Sequence, residues 1–147
     1  MICLLIDSGA QTSVTERKHA GSYFNPTGID SEASLIQMAL RAKNQDIIPF
    51  LIEKGANIDT ANTWGFSPLM VAVYEKDVDM VKQLLTFHPN LNIRSKLKID
   101  IVESYFGLRY GGKTVDTIPS GSTALSLAKK FKQQTIVELL QAAGATN

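Results

Sequence analysis

Residues 62–72 read Asn62-Thr63-Trp64-Gly65-Phe66-Ser67-Pro68-Leu69-Met70-Val71-Ala72, which combines a turn with the start of a helix. The hydroxyl of Ser67 can cap a helix by accepting a hydrogen bond from an unpaired backbone N–H. Pro68 then occupies the first helical position, where its missing N–H costs nothing. The sequence therefore predicts a helix that begins directly after Ser67.

Two other segments share this pattern of a hydroxyl residue, an aliphatic residue two positions later and an alanine five positions later. The three segments are 34–39, 67–72 and 123–128. Each is followed by a second apolar segment, at 47–52, 80–85 and 136–141, whose spacing predicts a second helix with one apolar face. A turn signal then follows at Gly55, His88 and Gly144.

The spacing of these copies is regular. The three capping residues are separated by 33 and 56 positions, and the three turn residues by the same two intervals. The longer interval is one period with 23 further residues. A further turn at Gly9 lies 46 positions before Gly55, which is one period with 13 further residues. Since a helix pair cannot bury its apolar face alone, we expect the pairs to stack on one another.

A 33-residue period, a Ser-Pro-Leu helix start and a Gly-Ala turn resemble the ankyrin repeat. The resemblance covers most of the chain outside the two insertions. It implies an all-α, ankyrin-type helix-turn-helix solenoid with hairpin connections. The expected single domain comprises a partial repeat (1–14), a loop insertion (15–31), a repeat (32–64), a second repeat (65–95), a hairpin-like insertion (96–120) and a C-terminal capping repeat (121–147).

The sequence departs from the family pattern at three kinds of position. The glycine usual between the two helices is replaced by Asn44, Lys76 and Lys132. The histidine usual two positions after the proline is replaced by Gln37, Met70 and Ser126. One turn reads His88-Pro89 instead of Gly-Ala. The apolar positions are kept, and tertiary packing outweighs such local preferences, so the repeat frame is still expected.

The two ends of the array differ. Gln141 stands where the other copies have Ile52 and Leu85, and a polar residue there is typical of a terminal, solvent-facing repeat. Met1–Ile6 matches only the second helix of a repeat. We therefore expect the chain to be cut from a longer repeat array.

Composition limits the possible classes of function. The 147 residues are 44% hydrophobic and 20% charged, which argues against disorder. The net charge of +1 indicates no strong attraction to nucleic acid or to an anionic membrane. No apolar run could span a bilayer, and no basic residue precedes the apolar run at 1–6, so neither a membrane helix nor a signal peptide is predicted. The single cysteine, Cys3, fits a reducing, cytoplasmic location.

The two insertions differ in pattern. Residues 15–31 contain Gly21, Asn25-Pro26 and Gly28, which predict a loop. Residues 98–102 and 113–118 alternate as strands do and flank Gly111-Gly112, which predicts an extended hairpin.

One stretch of this hairpin, Gly107–Thr114, matches the phosphate-loop pattern G-x-x-x-x-G-K-[ST]. A phosphate loop needs a helix starting at Lys113, and Pro119 and Gly121 would interrupt it. We therefore interpret the glycines and the lysine as a solvated turn. No metal or cofactor is expected either, since His19, His88 and Cys3 lack ligand-like spacing.

The candidate binding surface follows from the resemblance. Ankyrin-like proteins contact ligands mainly through the hairpin tips and exposed positions of the first helix. On this sequence those positions are Thr63, Trp64, Phe66, Tyr74, Glu75, Arg41, Ala42, Lys130 and Phe131. Aromatic residues at such positions are typical interface anchors, and Tyr105, Phe106 and Tyr110 of the second insertion extend the set. The alternative is that Trp64 and Phe66 pack between adjacent hairpins or under the insertion, because large aromatics are usually buried.

The function indicated is a non-catalytic protein–protein interaction module that binds a partner protein through its concave and hairpin surface. Arg41 and Lys130 would favour a partner segment with some acidic residues. One alternative is an array that targets or regulates a larger enzyme or effector whose catalytic domain lies outside this sequence. Another is nucleotide binding by the glycine loop. On the first hypothesis, Trp64→Ala weakens partner binding and leaves the helices intact.

Overall fold

The structure is a computed structural model that describes residues 35–103 and 113–146. Its elements occur in the order α1 (Leu35–Arg41), α2 (Ile47–Glu53), α3 (Pro68–Tyr74), α4 (Val78–Leu85), β1 (Ile99–Glu103), β2 (Lys113–Ile118), α5 (Ala124–Lys130) and α6 (Gln134–Ala142). The predicted partial repeat at 1–14 and loop at 15–31 lie outside the described residues, and the repeat boundaries themselves stay predictions.

The helix starts have the predicted chemistry. The Ser67 hydroxyl accepts a hydrogen bond at 3.3 Å from the backbone N–H three residues on, and Pro68 follows at the first helical position. Thr123 and Ser126 cap α5 reciprocally: each hydroxyl accepts from the other residue's backbone N–H, at 3.2 and 2.8 Å. The equivalent Ser34 lies outside the described residues. Short helices of seven residues therefore begin at defined positions.

The ends of the helix pairs adopt the left-handed conformation that the turn signals predict. Gly55 and Gly144 have φ of 89° and 94°. His88, which replaces glycine in the second described repeat, has φ of 51°. The histidine therefore takes the conformation that glycine provides in the other copies.

The turn within each helix pair also contains a left-handed residue, and here one prediction was wrong. We expected Asn44 to stand at the usual glycine position, but the left-handed residue is Lys43, with φ of 51°. Lys76 and Lys132 hold the equivalent positions, with φ of 59° and 55°. The repeat spacing accounts for the correction, because Lys43 lies 33 positions before Lys76.

The three helix pairs stack in chain order. Each first helix packs against its own second helix, and α3 packs between α1 and α5. The three small residues Ala39, Ala72 and Ala128 are buried at these contacts, as predicted. The insertion between α4 and α5 thus leaves the stack continuous, and the ankyrin-type solenoid is confirmed.

Glutamine side chains connect neighbouring pairs. Nε2 of Gln37 donates to the Phe66 carbonyl at 2.8 Å. Nε2 of Gln133 donates to the Val73 carbonyl at 2.9 Å, and Nε2 of Gln83 donates to a carbonyl of the preceding pair at 3.1 Å. Directional bonds therefore add to the apolar stacking and help to fix the repeats in register.

The second insertion forms the predicted hairpin. β1 and β2 pair antiparallel, Ile99 lies opposite Ile118, and the register shifts between Ile101 and Val102. Ile99 and Ile118 are both 0% exposed and belong to the apolar core. The hairpin is therefore anchored in the stack at its base.

Polar contacts close this base. The backbone N–H of Ser95 donates to the Ser122 carbonyl at 2.9 Å, and Ser95 Oγ accepts from the Ser122 N–H at 3.0 Å. The Lys96 N–H donates to the Trp64 carbonyl at 2.9 Å. Gly65 lies beneath this bond, where a β-carbon would be 2.5 Å from the Lys96 nitrogen. The chain entering the hairpin therefore needs glycine at position 65.

Candidate functional site

The last residues of the three first helices form a row along the stack. They are Arg41, Tyr74 and Lys130, which end α1, α3 and α5. They occupy equivalent repeat positions, so stacking of the helices places them side by side. The structure thus aligns three of the predicted site residues on one edge.

An aromatic pair lies in this row. The rings of Tyr74 and Phe131 are edge to face, with centroids 5.8 Å apart and an interplanar angle of 80°. Both side chains are half-buried and pack against the core. Burial, and then the adjacent Glu75 carboxylate, raise the pKa of Tyr74 above its usual value. The phenol therefore stays neutral at physiological pH and can donate a hydrogen bond.

The hairpin is tied to the same edge by an ion pair. Lys130 Nζ lies 2.6 Å from Asp116 Oδ1 of β2. The hydrogen bond from Lys130, and then one from the Thr117 N–H, lower the pKa of Asp116 below its usual value. This contact joins the hairpin to the end of α5. Asp116 was not among the predicted site residues.

The row also carries exposed charges. Arg41 and Glu75 are both exposed, and Arg41 forms no ion pair within residues 35–103 and 113–146. Ala42 follows Arg41 and is exposed as well. The three side chains are thus exposed, and their contact with a partner stays a prediction.

The aromatic residues of the 62–67 turn behave differently. Phe66 is only 1% exposed, so its predicted role as a contact residue is wrong. Two hydrogen bonds from Trp64 and Phe66 N–H groups to the buried Asn62 Oδ1 hold this turn, and they direct Phe66 into the core. Thr63 and Trp64 are half-buried, and Trp64 packs against the core beside the hairpin base. For this turn the structure favours the alternative that Trp64 and Phe66 pack inside the protein instead of contacting a partner.

The remaining candidates are the aromatic residues expected to extend the partner-binding surface and the motifs considered for small ligands. Tyr105, Phe106 and Tyr110 lie outside the described residues, as do residues 107–112 of the phosphate-loop pattern. Lys113 and Thr114 begin β2, where a phosphate loop would begin a helix. In the part of the chain that the structure describes, no three metal-ligating side chains cluster, and no helix has the length and apolar character needed to cross a bilayer.

A cavity of about 180 Å³ lies beside the first helix pair. Apolar side chains of α1 and α2, including Leu35, Met38, Ile47 and Leu51, line it together with Asn44. This lining offers apolar contacts and one amide. Among the described residues, the lining contains no titratable side chain that could serve as an acid or a base.

Known proteins share this architecture. The chain is 31% identical over 75 residues to an ankyrin repeat protein of Fowlpox virus (strain NVSL), a match covering 50% of this chain and 22% of the viral protein. The crystal structure of the ankyrin repeat domain of Bcl-3, a member of the IkappaB protein family, superposes with a TM-score of 0.58 at 26% identity. That match covers 78% of this chain and 40% of the Bcl-3 chain. The chain thus spans less than half the length of either protein.

The family model for ankyrin repeats, in three copies, matches residues 1–97. The matched range includes the first two described helix pairs and ends just before β1. The stacked helix pairs, the 33-residue period and this match together show that the chain belongs to the ankyrin repeat family.

Proposed function

We propose that this chain is a non-catalytic protein-interaction module whose contact surface is the row at the ends of α1, α3 and α5. Ankyrin repeats are generally protein–protein interaction modules. Here the row combines exposed charge with half-exposed aromatic surface, a combination that favours binding a protein rather than transforming a small molecule.

The Tyr74–Phe131 pair is the observation that carries this proposal. An edge-to-face pair is worth about 0.5–1.5 kcal/mol beyond its burial, so each ring already holds the other in place. A partner that covers such rings removes further apolar surface from water without having to order them first. Preorganised aromatic anchors of this kind dominate the energy of many interfaces.

The charges beside the pair refine the partner's chemistry. Lys130 is engaged by Asp116, which leaves Arg41 as the more available cation of the two that we expected to favour an acidic partner. Arg41 presents several donors in a planar fork that can bind a carboxylate in a bidentate manner. The proposed partner therefore covers the aromatic pair and places a carboxylate towards α1.

The test compares partners captured by the wild-type chain and by a Tyr74→Ala/Phe131→Ala variant, after circular dichroism shows that both are folded. Phe50→Ala/Phe87→Ala is the matched control, because these two aromatics are also half-buried but lie outside the row. We expect partners to be lost from the row variant and kept by the control. The same set of captured proteins on all three chains would refute the proposal.

A further inference from the structure

Three lysines hold equivalent positions in the turns that join the helices of each pair. Lys43, Lys76 and Lys132 are each two residues beyond the end of α1, α3 and α5. All three are exposed and have a left-handed backbone conformation, with φ of 51°, 59° and 55°. We call these residues the lysine row.

The turn itself does not need a lysine side chain. Each of the three contributes a backbone N–H that donates to the carbonyl three residues earlier, at 3.0 to 3.1 Å, which any non-proline residue can do. A β-carbon is disfavoured in the left-handed region, and glycine fits there without penalty. The chain does use glycine at other left-handed positions, including Gly55 and Gly144. A locally unfavourable residue repeated at equivalent positions indicates a role for its side chain.

No internal partner within 35–103 and 113–146 accounts for these ammonium groups. Among the described residues, ion pairs such as Lys82 with Asp79 and Lys130 with Asp116 do not involve the lysine row. The three charges therefore point to a partner outside the described residues.

Stacking sets the spacing of the row. Neighbouring packed helices lie about 8–10 Å apart, so the turns that follow α1, α3 and α5 step along the stack by about the same distance. A peptide in the extended polyproline II conformation rises about 3.1 Å per residue and has three residues per turn, so every third side chain points the same way at intervals of about 9 Å. One carboxylate at every third residue of an extended segment matches one lysine per repeat.

The surrounding charges select among anionic partners. Glu75 and Asp77 flank Lys76 in the middle turn. These carboxylates would repel a uniformly charged polymer such as nucleic acid, which also carries its charges more closely than the lysines are spaced. Carboxylates spaced to match the lysines avoid the mismatch in charge spacing and bring fewer negative charges close to Glu75 and Asp77. Tyr74 ends α3 and Phe131 follows α5, so both lie next to the lysine row and provide apolar contacts for the residues between the acidic ones.

We propose that the lysine row binds an acidic segment of a protein partner in the extended polyproline II conformation, with about one carboxylate for every three residues. This inference rests on the proposed function as a protein-interaction module and names the chemistry of its partner. It goes beyond the aromatic pair, because the lysines contribute charge and the pair contributes apolar surface.

The probe is a fluorescently labelled peptide with glutamate at every third position, compared with a peptide of the same composition whose glutamates are contiguous. Fluorescence anisotropy measures binding at low and physiological salt. The spaced peptide is expected to bind more tightly, and salt is expected to weaken its binding. Replacing all three lysines by glycine is expected to reduce the affinity by about tenfold, since exposed ion pairs contribute modestly and three are lost.

Glycine is chosen because it fits the left-handed turns, so the thermal midpoint of the triple variant is not expected to fall. The matched control, Lys54→Gln/Lys82→Gln/Lys96→Gln, removes the same charge at other positions and should change affinity by less than about twofold. Asparagine also tolerates a left-handed backbone conformation. A triple variant with asparagine at the three lysine positions should therefore lose as much affinity for the spaced peptide as the glycine variant.

Several outcomes would overturn the inference. One is undiminished affinity of the glycine variant for the spaced peptide, and another is the absence of binding by the wild-type chain. Equal or tighter binding of the contiguous peptide, of a single-stranded oligonucleotide or of vesicles containing anionic lipid would also count against it. If the Tyr74→Ala/Phe131→Ala variant still loses its partners in those cases, the proposed function survives and only the lysine row is wrong.

Discussion

The helix pair at 68–85 and the hairpin at 99–118 lie next to each other along the chain, but they are held in different ways. In α3 every side chain from Pro68 to Val73 is buried, because α1 covers one side of the helix and α5 the other. The hairpin is held by its outermost pair, Ile99 and Ile118, and by one ion pair to α5. An insertion is thus compatible with a repeat stack when its first and last residues enter the core.

This difference has consequences for function. α3 fixes the position of Tyr74 because six buried residues hold the helix. β2 adds the Asp116 carboxylate next to the same row. The repeats therefore hold the residues of the proposed contact surface in fixed positions, and the hairpin adds a carboxylate beside them. Single substitutions can distinguish the contribution of the helix stack from that of the hairpin.

The largest loss of stability is expected from a substitution in the interior of the helix stack. Leu69→Ala removes a side chain that is 1% exposed and leaves a cavity between stacked helices. We expect the free energy of unfolding to fall by about 2–5 kcal/mol. Chemical denaturation measures this change, and amide exchange should accelerate in all three helix pairs, because α3 contacts both neighbours.

The same substitution at the hairpin base is the control. Leu97 is 48% exposed, and Leu97→Ala should change the stability by less than about 0.5 kcal/mol. A similar loss at both positions would show that the hairpin base and the stack do not differ in the proposed way.

The second effect concerns the junction between the repeat and the hairpin. Gly65→Ala must accommodate both a left-handed φ of 80° and a β-carbon 2.5 Å from the Lys96 nitrogen. Gly55→Ala meets only the conformational penalty, since no atom lies within 4 Å of the added carbon. The conformational part costs about 1–2 kcal/mol, so Gly65→Ala should cost more than Gly55→Ala by the energy of moving the Lys96 backbone.

Thermal unfolding of the two glycine variants measures the difference. Nuclear magnetic resonance of the Gly65 variant should show shifts at residues 94–96, and the Gly55 variant should not. Equal destabilisation by the two substitutions would mean that the hairpin base relaxes freely, contrary to its buried anchoring.

The third expected effect is the loss of stability when a helix cap is removed. It can be compared between an uninterrupted repeat and the repeat after the hairpin. Ser67→Ala and Thr123→Ala each remove a hydroxyl that accepts a backbone N–H. Each should cost about 1 kcal/mol. Exposed Thr86, whose hydroxyl donates to a carbonyl at the end of α4, provides a control expected to change stability by less than about 0.5 kcal/mol on Thr86→Ala. A much smaller loss at Thr123 would indicate that the hairpin has weakened the following repeat.

Much of this architecture could be predicted because it depends on local chemistry that repeats. The capping hydroxyls, the small alanines and the left-handed turn residues recur at the same intervals of 33 and 56 positions, and each has one physical role wherever it recurs. The hairpin strands were also predictable, since alternation over 113–118 is a property of the strand itself. The spacing of 33 even corrects the position of the left-handed residue from Asn44 to Lys43.

The contacts between elements were less predictable. Phe66 was expected at the surface because of its position in the family pattern, yet the hydrogen bonds of Asn62 direct it inwards. Gln37 counted as a departure from the pattern, but its amide bridges to the next repeat. Asp116 meets Lys130 through a contact between β2 and the end of α5, which no periodicity reveals. The sequence does not show which side chains meet in the folded protein, and this limits what it can predict about the site.

The smallest expected effect tests the ion pair that ties the hairpin to the row. The hydrogen bond from Lys130 lowers the pKa of Asp116, so the pair stabilises the docked hairpin above the carboxyl group's ordinary pKa of about 3.9. That stabilisation is lost as the pH falls through the lower native pKa. Chemical shifts of the Thr117 amide and the Lys130 side chain should therefore titrate together below about pH 4.

Asp116→Asn should abolish this shared titration and accelerate amide exchange at the hairpin base, while the helices keep their exchange rates. Asp79→Asn is the matched control, because it removes the carboxylate of an ion pair that lies within α4, 3.7 Å from Lys82. Unchanged exchange at 113–118 in the Asp116 variant would show that Ile99 and Ile118 hold the hairpin without the ion pair. The position of the hairpin beside the row would then depend on apolar burial alone.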